Sequence, residues 1–120
     1  MLFRSLNEKG KLTFKALPLE AQFSPIHGIE TVDYDNDGKI DLLLTGNYFD
    51  LQPELGRYDA NYGLLLRNKG KAEFTVVPPS VSGFAVRGQV RNMQKVKTKN
   101  GKLLFVLAKN NDKVQVFGLK

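Results

Sequence analysis

The chain of 120 residues has no cysteine, which excludes disulfides and thiolate metal sites while leaving the redox compartment open. It has one histidine, His27, so a nucleophile–histidine relay or a zinc site lacks the partners such chemistry needs. Placed after Pro25-Ile26 and just ahead of an expected strand, His27 fits a plain loop or surface role. No apolar run approaches the roughly 20 residues of a membrane helix, so no membrane span is expected. The segment Met1-Leu-Phe-Arg-Ser-Leu-Asn-Glu-Lys9 lacks the apolar stretch of a signal peptide; an address for export is expected outside this chain. G-x-S-x-G, the P-loop and G-x-G-x-x-G are missing, as is any sustained i, i+3, i+4, i+7 pattern, which removes the common catalytic and nucleotide signatures together with long helices.

What is present is ordinary globular material. Hydrophobic residues at 42% and charged residues at 25% supply one core in one domain. The net charge of +6 reads as a solvated basic surface, with anionic partners such as acidic polysaccharide as the alternative and nucleic acid not expected. The densest basic stretch carries Arg87, Arg91, Lys95, Lys97 and Lys99, several at alternate positions. A nucleic-acid groove interleaves aromatics for base stacking, and this stretch has none, so it reads as a charged strand face, with phosphate or sulfate binding as the alternative.

The organising stretch is Asp33-Tyr-Asp35-Asn-Asp37-Gly38-Lys39-Ile-Asp41. A calcium ion takes roughly 6–8 oxygen ligands, and a tight loop aims its positions 1, 3, 5 and 9 at one point. Asp33, Asp35, Asp37 and Asp41 occupy those positions, Gly38 permits the sharp turn after the third, and the main-chain carbonyl of Lys39 suits position 7. Four acids so close repel one another unless a cation neutralises them. An EF-hand shares the first half but requires a bidentate Glu at position 12 and flanking helices; position 12 here is Leu44, and the flanks Gly28–Val32 and Ile40–Gly46 are short, β-prone and bounded by glycine. The loop is therefore expected to join two strands. The same residues also favour a hairpin turn with no metal.

This D-x-D-x-D-G-x-x-D loop, running into an aliphatic strand, resembles the FG-GAP/VCBS repeat, the blade unit of integrin-α-type β-propellers. The resemblance implies a structural Ca²⁺ held by Asp33, Asp35, Asp37 and Asp41, with Lys39 contributing through its main chain.

Internal similarity runs through the chain. Lys9–Pro18 aligns without gaps to Lys69–Pro78, and Gly28 and Gly88 keep that offset; Asp37–Asn47 aligns to Asn100–Asn110 after a gain of about three residues. One unit spans strands near 28–33, 40–46, 62–68 and 72–77, with Asn68-Lys-Gly-Lys71 as a tight hairpin connection. Ile40–Leu44 and Leu103–Leu107 are apolar on both faces, which suits strands buried between neighbouring sheets. The expected architecture is all-β, about two blades of a propeller built from four-stranded antiparallel sheets, starting and ending mid-blade. Residues 1–18 are outer strands, 26–78 a complete calcium-loop blade, and 84–120 a degenerate blade without its fourth strand and with its first expected from Val86 to Val96. In the last of these, Val96, Thr98, Asn100 and Leu104 replace the four acids, so one calcium per chain is expected.

The long link 47–61 is the natural seat of a specific function. Its acids Asp50, Glu54 and Asp59 can form a glycosidase-like carboxylate pair or simply be solvated. Tyr48, Phe49, Tyr58 and Tyr62 can stack on sugar or pack on the sheet. The expected role is binding or scaffolding of protein or cell-surface partners in an extracellular or periplasmic setting, without enzyme activity. A carbohydrate-binding propeller module is the alternative. The frame of the repeat further implies a homo-oligomer whose terminal pieces complete each other's blades, or a part of a larger propeller.

Overall fold

The computed structural model describes residues 2–48 and 60–118. Among them the chain is all-β, with every strand pair antiparallel. β1 (Phe3–Glu8) and β2 (Lys11–Ala16) form a two-stranded hairpin. The central sheet runs in sequence order through β3 (Ile26–Val32), β4 (Asp41–Gly46), β5 (Leu64–Asn68) and β6 (Phe74–Val77). A C-terminal sheet orders β7 (Val90–Lys97), β8 (Leu103–Lys109) and β9 (Gln115–Gly118). A 3₁₀ turn at Leu19–Gln22 and one α-helical turn, α1 (Pro79–Ser82), punctuate the links. Pro79 at the first helical position and left-handed Gly83 at the end bound α1 to a single turn.

The three sheets stack because β4 and β5 carry leucines on both faces. Paired residues of an antiparallel ladder share a face, and successive residues alternate. Leu43 and Leu65 pair with each other and face the C-terminal sheet, in a core with Val32, Phe84, Val86, Met93, Phe105 and Leu107. Leu44, Leu64 and Leu66 face the opposite way, in a second core with Leu17 and Ala21 beside the hairpin. Leu43, Leu44 and Leu66 are fully buried. The hairpin is tied to the central sheet by the Arg4 guanidinium over the Phe74 ring and by the Lys15–Glu73 ion pair at 3.1 Å. Within the other junction, β3 runs beside β7, and Lys95 donates from Nζ to the Thr31 carbonyl at 2.8 Å and from its amide to Glu30 Oε1 at 3.1 Å.

The β3–β4 and β7–β8 pairs share a corner. Each ladder shifts register at its first residues, between Ile26 and Gly28 in one and between Val90 and Asn92 in the other. At that same end of each, an asparagine amide reaches back across: Asn47 to the Pro25 carbonyl at 3.1 Å, Asn110 to the Gln89 carbonyl at 2.9 Å. Asn47 is buried with φ of 84°, its Oδ1 accepting from Ser24 Oγ and the Asn61 amide and its Nδ2 donating to the carbonyls of Asn61 and Gly88.

Two stretches differ from the sequence expectation. The β5–β6 connection is not the four-residue turn Asn68–Lys71: Gly70, Lys71 and Ala72 all take positive φ, the Lys69 amide donates to the Glu73 carbonyl at 2.7 Å, and β6 starts at Phe74. The first C-terminal strand starts at Val90 rather than Val86. Before it the chain turns through Gly88, whose φ is 94°, and Val86 donates its amide to the Tyr62 carbonyl at 2.7 Å, spending it on a link to the central sheet instead of a ladder.

If the central sheet is packed on both faces, truncating either face must cost as much as a core cavity. Leu43→Ala and Leu66→Ala should each lower unfolding free energy by about 2–5 kcal/mol, while Ile29→Ala, at a side chain 53% exposed, should cost about 0.5 kcal/mol or less. Urea unfolding measures all three; a small loss at Leu66 would mean that the Leu17–Ala21 segment does not cover that face.

Candidate metal centre

The loop between β3 and β4 holds the acids that the sequence singles out. It reverses through two left-handed residues, Asn36 at φ 58° and Gly38 at φ 79°. Asparagine tolerates that region and glycine enters it freely. The consequence is convergence: one carboxylate oxygen each from Asp33, Asp35 and Asp37 lie within 4.8 Å of one another.

Backbone amides fix these carboxylates. Asp33 accepts from the Asp37 amide through Oδ1 at 3.0 Å and from the Gly38 amide through Oδ2 at 2.9 Å. Asp37 Oδ1 accepts from the Lys39 amide at 2.9 Å, and its Oδ2 from Lys39 Nζ at 2.7 Å. Asp35 is paired with the Arg67 guanidinium, which also lies 3.8 Å from Asp37. Hydrogen bonds from the Lys39 ammonium first, then from its amide, hold the Asp37 carboxyl below the usual carboxylate value, against a smaller opposing effect of desolvation. A depressed carboxyl stabilises the fold above its ordinary pKa and loses that contribution as pH falls through the depressed value.

Asp41 stands apart from this cluster and does a different job. It is fully buried at the head of β4. Its Oδ2 accepts from the Tyr34 amide at 2.9 Å and its Oδ1 from the Asn68 amide at 2.8 Å. One side chain therefore ties the start of the acid loop to the end of β5. Asn68 adds a second stitch, donating from Nδ2 to the Ile40 carbonyl at 3.1 Å. Lys39 approaches the acids through its amide and ammonium, whereas the sequence singles out its carbonyl.

The donor set suits a hard divalent cation: it is all oxygen, on a loop whose amides aim the carboxylates without occupying every lone pair. Lys39 and Arg67 now compensate part of the acid charge. Both side chains are about half exposed, at 41% and 46%, so their ion pairs are solvent-screened and cheap to rearrange. Arg67 was not legible as part of the site, because only the β5 register brings it under the loop. The matching turn of the C-terminal sheet is closed by neutral groups: the Thr98 amide donates to the Lys102 carbonyl at 2.9 Å, Thr98 Oγ1 accepts from the Lys102 amide at 3.1 Å, and Gly101 takes φ of 79°.

Of the remaining candidates, Phe49, Asp50, Glu54, Tyr58 and Asp59 lie outside the described residues. Tyr48 sits under the Arg91 guanidinium at 5.5 Å, and Tyr62 is exposed. His27 is exposed in the irregular first turn of β3. Compared with protein-family models, curated proteins and solved structures, the chain matches none. The site therefore rests on its own geometry.

Removing the Asp41 carboxylate orphans two backbone amides, each worth about 1–3 kcal/mol when left unpaired away from water. Asp41→Ala should accordingly lose at least about 2 kcal/mol of stability even in chelator, where no ligand is at stake. Urea unfolding in EDTA checks this, and a loss confined to calcium-containing buffer would show that Asp41 does not act as the backbone anchor.

Proposed function

We propose that this chain is a calcium-binding module of the FG-GAP/VCBS kind, serving binding or scaffolding between proteins or at a cell surface. The observation that carries the reading is the convergence of Asp33, Asp35 and Asp37 within 4.8 Å on a strand-joining loop. In the proposed site these three carboxylates hold Ca²⁺ with the Lys39 carbonyl. Asp41 keeps its ninth-position place, since each oxygen that accepts one amide retains a lone pair. The ion is structural: it replaces Lys39 and Arg67 as the counter-charge and locks the β3–β4 connection. A cation enclosed by four carboxylates has little charge left to polarise a substrate, which supports a non-catalytic role. The stacked antiparallel sheets support a propeller-like arrangement, and an extracellular or periplasmic setting supplies calcium at the concentrations that modest-affinity sites need.

Saturating calcium should raise the melting temperature of the chelator-stripped chain by on the order of 10 °C, as expected for a ligand at about a hundredfold excess over its dissociation constant. Asp37→Ala should abolish that rise while leaving the metal-free melting temperature nearly unchanged. Scanning calorimetry in calcium and in EGTA measures both, and an undiminished calcium shift in the variant would refute the assignment.

A further inference from the structure

The two outermost faces of the stack are apolar and unpartnered among the described residues. On the hairpin, Phe3 pairs with Ala16, Phe14 with Ser5 and Leu12 with Asn7, so Phe3, Leu12, Phe14 and Ala16 share one face. The other face carries Arg4 and Lys15, which hold the central sheet. Phe3 and Phe14 meet edge to face at 5.5 Å between centroids yet stay more than half exposed. On the C-terminal sheet, Val96 pairs with Leu104, and Val106 pairs with both Gln94 and Val116. This places Val96, Leu104, Val106 and Val116 on the face turned away from the Met93–Phe105–Leu107 core.

Both faces correspond to faces that the chain buries within itself. The pairs Val96/Leu104 and Gln94/Val106 stand where the central sheet has Val32/Asp41 and Glu30/Leu43. That face of the central sheet receives the inner face of the next sheet, through Phe105, Leu107 and Met93. Phe14 likewise aligns with Phe74, which packs toward the preceding hairpin. The outer face of the C-terminal sheet is thus a receiving face, and the outer face of the hairpin, equivalent to that of β6, is one that packs toward a preceding sheet.

We propose that a second copy of this chain covers them, the Phe3/Leu12/Phe14 face of one copy seated on the Val96/Leu104/Val106/Val116 face of the next. The contact continues the stacking already present between the three sheets and places sheet face on sheet face, without exchange of strands at the edges. It is heterologous, using two different surfaces, so it propagates into a ring or a filament according to the rotation per copy. Exposed apolar sheet faces of this kind are otherwise aggregation hazards.

Sedimentation equilibrium tests this on the 120-residue chain. The weight-average mass should rise above that of one chain as concentration rises through the micromolar range. Phe14→Asp and Val116→Asp, at side chains 63% and 54% exposed, should each leave a folded monomer with an unchanged circular dichroism spectrum. Mixed together, the two variants retain one intact surface apiece and should form a one-to-one dimer and nothing larger. A wild-type chain that stays monomeric, single variants that assemble as the wild type does, or a mixture that stays monomeric would each overturn the proposal. None of these outcomes depends on calcium, since the experiment runs in EDTA.

Discussion

Strand β4 has no face to give to water. Leu43 and Leu44 point to opposite sides of the central sheet and both are fully buried, so the sheet is stable only with a layer on each side. Burial at roughly 25 cal/mol per Å² of apolar surface is the main favourable term available to a chain this small. The C-terminal sheet supplies one layer, and Leu17 and Ala21, in the segment that follows the hairpin, cover the other face. Everything else follows from holding that sandwich in register: Asn47 and Asn110 closing equivalent corners, Lys95 spanning from β7 to β3, Arg4 and Lys15 gripping β6 and its turn.

The acid loop inherits its shape from the same constraint. β4 begins with Asp41, and its packing between two layers carries that carboxylate out of water. A buried charge must find donors, and the available ones are the amides of Tyr34 and Asn68. Meeting that demand brings the start of the loop and the end of β5 together, and with β5 comes Arg67. The convergence of Asp33, Asp35 and Asp37 is thus anchored from below by a residue that the core itself positions. Lys39 and Arg67 pair with Asp37 and Asp35, while Asp33 and Asp41 accept from backbone amides, so each of the four carboxylates on this short loop has donors within the fold.

Much of this was legible from residue order. The doubly apolar strands, the alternating acids around Gly38 and the alignment of Lys9–Pro18 with Lys69–Pro78 all report local chemistry that a period-two backbone makes visible. Arg67 was not, because its meaning comes from the partner strand rather than from its neighbours. The β5–β6 turn also escaped, since Lys71 and Ala72 take positive φ against their own preference, and nothing in their identity announces it. The same holds for Val86, whose β-prone surroundings read as strand while its amide is claimed by the Tyr62 carbonyl. In each case a tertiary demand overrode local propensity. The distinct role of Asp41 lies between these cases: its place in the motif reads as a ligand's, whereas the structure shows a buried carboxyl that accepts from two backbone amides.

The proposed calcium site lies at the first loop alone: in the ladder Val96 stands where Val32 does, and residues 97–104 of the second turn carry no carboxylate. Isothermal titration calorimetry of calcium into the chelator-stripped protein tests it most directly. The account predicts a single class of site with a stoichiometry of one per chain. The absence of binding heat at any temperature, or two equivalent sites per chain, would contradict it.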